Sequence, residues 1–470
     1  MKIIVLNGSP KGEISVTMQY VHFIGKNFPH HELKIINISQ RIKAIEEDEN
    51  TFREIIDEVR SADGVLWAFP LYFLLVPSQY KRFIELISER SAEDAFKGKY
   101  TAALSTSIKF CDHTAHNYIN AICDDLEMKY LGSFSADMYD LLEEKERRQL
   151  VLFAESFFSA IQNNIPTPKN FQPVVRGDLD YLPGTVEGKA DLRGKKVLIL
   201  TDTGESRTNL GLMIDRFSRA FSNPVEVINL NDLDIKGGCL GCIQCGYDNR
   251  CVYEGRDGYI DFYNGKVKTA DILVFAGAIK DRYLSSRWKR YFDRSFFTGH
   301  APSLIGTQIG FIISGPLRQI PNLRQILEAE VQLQHANCVG FVTDEYGDSE
   351  AIDGLLQNLA ERLVQAVDNG YRSPPTFLGV GGAKIFRDAI WGRLRFPFRA
   401  DYRAYKKLGV FDFPRKDYKS RIRNSLLLFF SKIPRFRKEL NKRMKQEMIK
   451  PIQNAARAKL GQRFEVPKVR

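Results

Sequence analysis

The chain repeats itself at a fixed spacing, and this limits the folds open to it more than any other feature. Ala62-Asp63 recurs as Ala270-Asp271, Lys81 as Lys289, Gly98 as Gly306 and Gly132 as Gly340, each 208 positions later. The apolar opening run Lys2–Asn7 recurs as Lys196–Thr201, but 194 positions later. A constant spacing across several apolar runs marks an internal duplication. The step from 194 to 208 puts 14 extra residues into the second copy, between its first and third apolar runs.

Within each copy, short apolar runs alternate with amphipathic stretches, which predicts an α/β fold with a parallel sheet covered by helices on both faces. In the first copy the spacing predicts strands over Lys2–Asn7, Glu32–Ile38, Gly64–Phe69, Tyr100–Thr106 and Lys129–Phe134. Helices are expected at Val16–Lys26, Asn50–Arg60, Ser78–Glu89, Thr114–Leu126 and Lys145–Gln162. A Pro-, Gly- and Asp-rich stretch without period then reads as a linker. The expected division is a first domain over 1–165, a linker over 166–193, a second domain over 194–370 and an extension over 371–470.

Charge divides along the same boundaries. From Tyr371 onward there are 27 Lys and Arg against 7 Asp and Glu, a net +20; the whole chain is +11, so the first 370 residues carry −9. The basic character belongs to the tail and says nothing of a site in the body. The N-terminus reads as a buried strand rather than a leader, and no apolar run approaches a membrane span. A cytoplasmic protein is the expectation. Four of the seven cysteines crowd together, which in a reducing compartment points to metal or redox chemistry rather than disulfides.

Both copies open with a strand, a small polar turn and a helix. The first turn is Asn7-Gly8-Ser9-Pro10-Lys11, with Ser15 and Thr17 at the helix start. The second is Thr201-Asp202-Thr203-Gly204-Glu205-Ser206, followed by Thr208 and Asn209. Backbone N–H groups and hydroxyls at such a turn suit a phosphate; helix capping alone is the plainer alternative. Neither turn has the Lys-Ser/Thr ending of a triphosphatase loop.

These residues carry a resemblance. Thr201-x-Thr203-Gly204-x-Ser206 resembles the FMN phosphate loop of flavodoxins. Asn7-Gly8-Ser9-Pro10-Lys11, with Phe69-Pro70-Leu71-Tyr72 and Lys81-Arg82-Phe83-Ile84-Glu85, is similar to the NAD(P)H-dependent FMN reductase family. The resemblance covers roughly the first 350 residues. It implies two flavodoxin-like doubly wound sheets in tandem, five strands each in the order 2-1-3-4-5, with FMN bound and NAD(P)H as co-substrate. It implies phosphate contacts from Ser9, Lys11, Ser15 and Thr17, and ring contacts from Pro70, Leu71 and Tyr72. In the second copy it implies contacts from Thr203, Ser206, Thr208 and Asn209. Tyr72 is the better candidate for stacking, and Trp67, inside a strand, the better candidate for core. Ser107 and His113, after the fourth strand, are candidate flavin or substrate contacts. Ala278 and Lys280 stand where the first copy has Pro70 and Tyr72. Either both copies hold FMN, or the first holds it and the second serves the cysteines.

Cys239-x2-Cys242-x2-Cys245-x5-Cys251 lies in the interval between the first and third apolar runs of the second copy, where the 14 extra residues fall. Four thiols so close, with Gly238, Gly241 and Gly246 among them, suit an iron–sulfur cluster; a structural zinc or a redox dithiol are the alternatives. The motif resembles that of the iron–sulfur flavoproteins, which implies a [4Fe–4S] cluster. Those relatives are dimers in which one subunit's cluster faces its partner's flavin, so the tandem copies are expected to form an internal pseudo-dimer.

In the extension, Gly379-Val380-Gly381-Gly382 reads as a turn. Arg393, Arg395, Arg399, Arg415, Lys416, Lys419, Arg421 and Arg423 precede an apolar run, Leu426–Phe430, and a basic helix over 434–450. A solvated wrap, docking on an anionic membrane surface, or contact with an acidic partner each fit; nucleic acid is not the expected ligand. The combined expectation is an oxidoreductase passing electrons from NAD(P)H, or a reduced protein donor, through FMN and the cluster to a small-molecule or protein acceptor. An electron carrier without substrate, or a degenerate scaffold, are the alternatives.

Overall fold

The computed structural model describes residues 1–186, 188–345, 347–412 and 418–456. The first copy runs β1 (Lys2–Asn7), α1 (Val16–Asn27), β2 (Glu32–Asn37), α2 (Ile38–Glu47), α3 (Glu49–Arg60), β3 (Gly64–Pro70), α4 (Ser78–Glu89), β4 (Tyr100–Ser107), α5 (Asp112–Asp125), β5 (Lys129–Asp137) and α6 (Glu144–Gln162). The second runs β6 (Val197–Thr201), α7 (Asn209–Arg219), β7 (Glu226–Asn229), α8 (Cys245–Asp248), α9 (Tyr259–Gly265), β8 (Ile272–Ala278), α10 (Ser286–Ser295), β9 (Gln308–Ser314), α11 (Pro321–Leu333), β10 (Asn337–Thr343) and α12 (Ser349–Asp368). The sheets have matching orders, β2-β1-β3-β4-β5 and β7-β6-β8-β9-β10, and every pairing is parallel. Helices cover both faces, so central strands such as β1 and β3 are apolar and buried almost throughout.

The duplication persists in the bonding. The Lys2 N–H donates to Asp63 Oδ2 at 2.8 Å, and the Lys196 N–H to Asp271 Oδ2 at 2.9 Å. Gly98 and Gly306, at φ +73° and +86°, donate to the carbonyls of Glu127 and His335, each at 3.0 Å. Trp67 is fully buried, as expected of core. One helix escaped the sequence reading: α2 follows β2 without a break, so Ile38, expected in the strand, opens the helix instead.

The copies meet through α4 and α10, and the contacts are reciprocal. The Ser78 N–H donates to Asp293 Oδ2 at 2.7 Å, while the Ser286 N–H donates to Glu85 Oε1 at 2.6 Å. These pairs are related by the repeat spacing of 208. Lys81 bonds Glu85 and Asp281, both at 2.8 Å; Lys289 bonds Asp293 and reaches the Tyr72 carbonyl at 2.9 Å. Both ammonium groups are fully buried; each pairs with a carboxylate of its own helix and reaches across the boundary, Lys81 to Asp281 and Lys289 to the Tyr72 carbonyl.

Between α6 and β6 the described residues form no helix or strand beyond an isolated bridge from Ala190 to Phe221. The extension expected from residue 371 divides within itself. Its first helices, α13 (Phe377–Trp391) and α14 (Arg399–Leu408), belong to one compact unit with both sheets, Met1–Leu408. The Gly379–Gly382 stretch is not a turn; it lies inside α13. A Cβ on Gly382 would stand 2.4 Å from the Phe110 ring, so these glycines let the helix pack close rather than reverse the chain. The second unit, Gly409–Arg470, contains α15 (Tyr418–Phe430) and α16 (Pro434–Ala456). Arg415 and Lys416 lie outside the described residues. No helix of the described residues is long and apolar enough to cross a membrane.

Candidate functional site

Loops leaving the carboxyl ends of β1, β3 and β4 converge where the strand order reverses, the usual ligand position in an open α/β sheet. They line a cavity of about 510 Å³. At one end stand Ser9, Lys11 and Ser15 from the loop after β1. The turn is fixed by its own side chains. Asn7 Oδ1 accepts from the Ser9 N–H at 3.0 Å, Ser9 Oγ from the Lys11 N–H at 3.3 Å, and Ser15 caps α1 by accepting from the Met18 N–H. Gly8 allows this approach, since a Cβ there would meet Phe69 and Tyr80 at 2.9 Å.

Pro70, Leu71 and Tyr72 line the same cavity, with Phe73 and Leu74. Tyr72 and Leu75 exchange backbone bonds of 2.8 and 3.0 Å around a two-residue tip. Both tip residues, Phe73 and Leu74, have positive φ, 38° and 62°. That backbone suits Asn-Gly, so bulky side chains there are held under strain at the cavity wall. Burial, with the nearby Asp293, raises the Tyr72 phenol well above its ordinary range and keeps it protonated. Ser107 also lines the cavity. Thr17 is not among its lining residues: buried, its hydroxyl bonds Thr106 Oγ1 at 2.6 Å and ties α1 to β4. His113 is exposed and pairs with Gln325 instead. Cys111 is no reactive thiol, since burial pushes it up to about 11.

The cysteine loop of the second copy packs directly on this mouth. Gln79 Nε2 donates to the Cys239 carbonyl at 3.1 Å. A Cβ on Gly241, at φ +63°, would stand 1.9 Å from the Tyr72 hydroxyl and 3.1 Å from Lys11 Cε. Cys239, Cys242, Cys245 and Cys251 together line a small separate cavity. Cys239, Gly241, Ile243 and Phe296 line both cavities, so they form a shared wall. Burial pushes the thiols of Cys239 and Cys245 up to about 12. Arg294 lines the sulfur cavity, pairs with Asp257 at 2.7 Å, and leaves its buried Nε without a hydrogen-bond partner. Among the described residues no group of three His, Cys, Asp or Glu is placed to hold a single metal ion.

The second copy's own mouth is a different kind of space. Its cavity of about 380 Å³ is lined by Thr203, Asp202 and Lys280, with Arg82, Glu85 and Glu89 of the first copy. Asp202 occupies the position of Gly8 and bonds Ser285, and burial raises its carboxyl above the ordinary range. Ser206 is exposed, and Thr208 caps α7 through the Gly211 N–H. Asn209 is spent on Tyr181, Leu179 and Asp344. Of the four expected contacts in this copy, Thr203 alone lines the cavity.

Sequence reasoning missed the roof. Phe386, Leu394, Pro397 and Phe398 of the extension close the first cavity, with His300 from the segment after α10. His300 Nδ1 lies 2.6 Å from Asp401 Oδ2, and the His300 N–H donates to Asp401 Oδ1 at 2.9 Å. A lone histidine and an aspartate 101 positions later carry no shared motif, so nothing in the sequence pairs them.

Residues 1–138 match the family model of NADPH-dependent FMN reductase. Solved structures with a likeness include an NADH:FMN oxidoreductase (EMOB) in its apo form, at 18% identity over 34% of this chain and 89% of that one, TM-score 0.29. The flavoenzyme NAD(P)H:(acceptor) oxidoreductase FerB of Paracoccus denitrificans is 18% identical over 34% of this chain and 97% of its own, TM-score 0.30. General stress protein 14 of Treponema denticola, in complex with FMN, is 12% identical over 34% and 98%, TM-score 0.23. No curated protein matches the chain. The family match therefore spans β1 to β5, the whole sheet of the first flavodoxin-like copy, and leaves the second copy and the extension outside it.

Proposed function

We propose that the chain is an FMN-dependent NAD(P)H oxidoreductase in which the first copy holds the flavin and the second holds a [4Fe–4S] cluster beside it. The observation that carries this reading is the wall of Cys239, Gly241, Ile243 and Phe296 common to the two cavities. The flavin supplies two-electron uptake from NAD(P)H and one-electron release, which is the chemical reason to place a one-electron centre next to it.

This chain's residues fit both groups. Ser9, Lys11 and Ser15 offer hydroxyls and a cation to a phosphate at the start of α1. Pro70, Leu71 and Tyr72 give the ring an apolar floor, and the roof from Phe386 to Phe398 keeps water away. Four cysteines ranged around a cavity suit a cluster, whose ligands stand farther apart than those of one ion. Arg294, its charge matched by Asp257, keeps one buried N–H donor, Nε, unspent at the wall of that cavity. Asp202 and Glu205, where the first copy has Gly8 and Lys11, disfavour a phosphate in the second copy. The reciprocal α4–α10 contacts support the reading of an internal pseudo-dimer, with the acceptor, small molecule or protein, reaching the shared cavity.

Anaerobic purification tests it. The expected sample is yellow-brown, holds FMN and about four irons per chain, and oxidises NADH or NADPH. Cys242→Ser is expected to bleach the cluster absorbance while leaving the flavin bands. A sample with neither flavin nor iron overturns the reading, and coloured protein without NAD(P)H turnover leaves an electron carrier in its place.

A further inference from the structure

We infer that His300, held by Asp401, gives a proton to the acceptor reduced in the shared cavity, an inference that rests on the flavin reading above. The imidazole is fixed from several sides. Asp401 takes both Nδ1 and the main-chain N–H, the Tyr405 hydroxyl donates to the His300 carbonyl at 2.9 Å, and Phe386 packs on the ring at 3.8 Å between centroids. Phe296 and Phe398 stand edge-on, each at 4.9 Å. Asp401 is itself buried, and Gly299, at φ +73°, leaves it room: a Cβ there would lie 2.0 Å from Oδ1. Nε2 is the remaining functional atom; among the described residues it has no hydrogen-bond partner, it is not among the buried unsatisfied atoms, and the residue lines the cavity.

A carboxylate on Nδ1 fixes the ring and leaves Nε2 to act, the arrangement of a general acid. Reduced flavin, when bound, would supply a hydride with its two electrons to a quinone-type acceptor. The hydride would form one O–H bond, the ring would take up the π electrons of both carbonyls, and the second oxygen, left with the extra pair, would take the Nε2 proton as its O–H bond. Imidazolium becomes neutral imidazole, its Nδ1–H still donating to Asp401 Oδ2. The cavity walls, rich in Phe, Leu and Ile, suit a flat apolar acceptor, and His300–Asp401 is the polar pair of the roof. Asp401, which acts through His300, is a positioning residue.

The test uses the full-length holoprotein and two acceptors, 1,4-benzoquinone, which gains protons, and ferricyanide, which gains none. His300→Gln is expected to lower the quinone-to-ferricyanide ratio of kcat at least tenfold, and Asp401→Asn severalfold. Carbethoxylation by diethylpyrocarbonate, read by mass spectrometry, is expected to label His300 at Nε2 in the wild type and to be slowed by benzoquinone. An unchanged ratio in both variants, or an unlabelled His300, overturns the inference. Failure of the flavin reading looks different, since the wild type would then reduce neither acceptor.

A separate observation concerns the second unit. We propose that residues 418–456 dock on an anionic lipid surface. This stretch has eleven Lys or Arg against two Glu. Its large apolar side chains face outward: Ile422, Leu428, Phe429, Ile433 and Ile452 are each more than half exposed. Ile433, Phe436, Leu440, Met444 and Ile452 recur at helical spacing, placing an apolar stripe beside a cationic one. Flotation of the full chain with phosphatidylglycerol–phosphatidylcholine vesicles at low salt tests this. The chain is expected to float, to stay down with pure phosphatidylcholine, and to lose most binding when Leu428 and Phe429 are both changed to Ser. No flotation, equal flotation on neutral vesicles, or retention on heparin without vesicle binding overturns it.

Discussion

The main-chain N–H of Ser78 donates to Asp293 Oδ2 at 2.7 Å, across the boundary between the two copies. Its counterpart, Ser286 to Glu85, returns the contact, so each helix start is capped by a carboxylate of the other copy. The same carboxylates neutralise Lys289 and Lys81, both buried. Removing one therefore leaves an ammonium group short of its partner in a dry interface. Glu85→Ala and Asp293→Ala are each expected to destabilise the protein by about 3–5 kcal/mol. Urea denaturation reads this as a lower midpoint; a midpoint within error of wild type would count against a coupled interface.

The two mouths differ in charge, and this predicts flavin stoichiometry. The first offers Lys11 and a glycine at position 8, while the second offers Glu205 and a buried Asp202. Saturation at one FMN per chain is expected in equilibrium dialysis. Lys11→Glu is expected to weaken FMN binding by roughly tenfold or more, the effect of losing one charge-assisted contact, and Glu205→Lys to leave the first site's affinity within twofold. Two equivalent sites would contradict the asymmetry.

Much of this architecture was legible in the sequence because it is periodic. The spacing of 208 identified the second sheet before any strand in it needed to be recognised, and the jump from 194 located the cysteine loop. Ser9, Lys11, Ser15, Pro70, Leu71, Tyr72 and Ser107 reach one cavity because each lies at or just beyond the carboxyl end of a strand or at the helix start that follows. Thr17 failed for a local reason, as its hydroxyl turns inward to Thr106. Thr208 and Asn209 lie at the start of α7 and are consumed by helix capping and by the linker. The roof was illegible because it depends on how a basic, aperiodic extension folds back on the body; His300 and Asp401 meet through tertiary packing alone.

Glu330 gives the fold a dependence on pH. Burial pushes its carboxyl up to about 8, partly offset by the Lys289 charge, against an ordinary value of 4.5. The folded state therefore holds a proton that the unfolded chain has released. Its favourable contribution is fully present below about 4.5 and is lost as pH rises through about 8. Glu330→Gln is expected to raise the melting temperature at pH 8.5 and to leave it close to wild type at pH 4.5. A variant melting below wild type at both values would remove Glu330 as the source.

Gly241 tests whether the two cavities work as one. Its backbone is left-handed, at φ +63°, and a Cβ would meet the Tyr72 hydroxyl at 1.9 Å. Alanine there must displace either the cysteine loop or the Tyr72 tip, which Phe73 and Leu74 already hold at positive φ. The backbone strain alone is about 1–2 kcal/mol, and the overlap adds to it. Under the shared-wall reading, Gly241→Ala lowers iron content and shifts the flavin absorbance together, whereas Gly255→Ala, also at positive φ but with nothing within 4 Å of the added carbon, changes neither. If Gly241→Ala disturbs the iron and leaves the flavin spectrum untouched, the wall does not couple the sites.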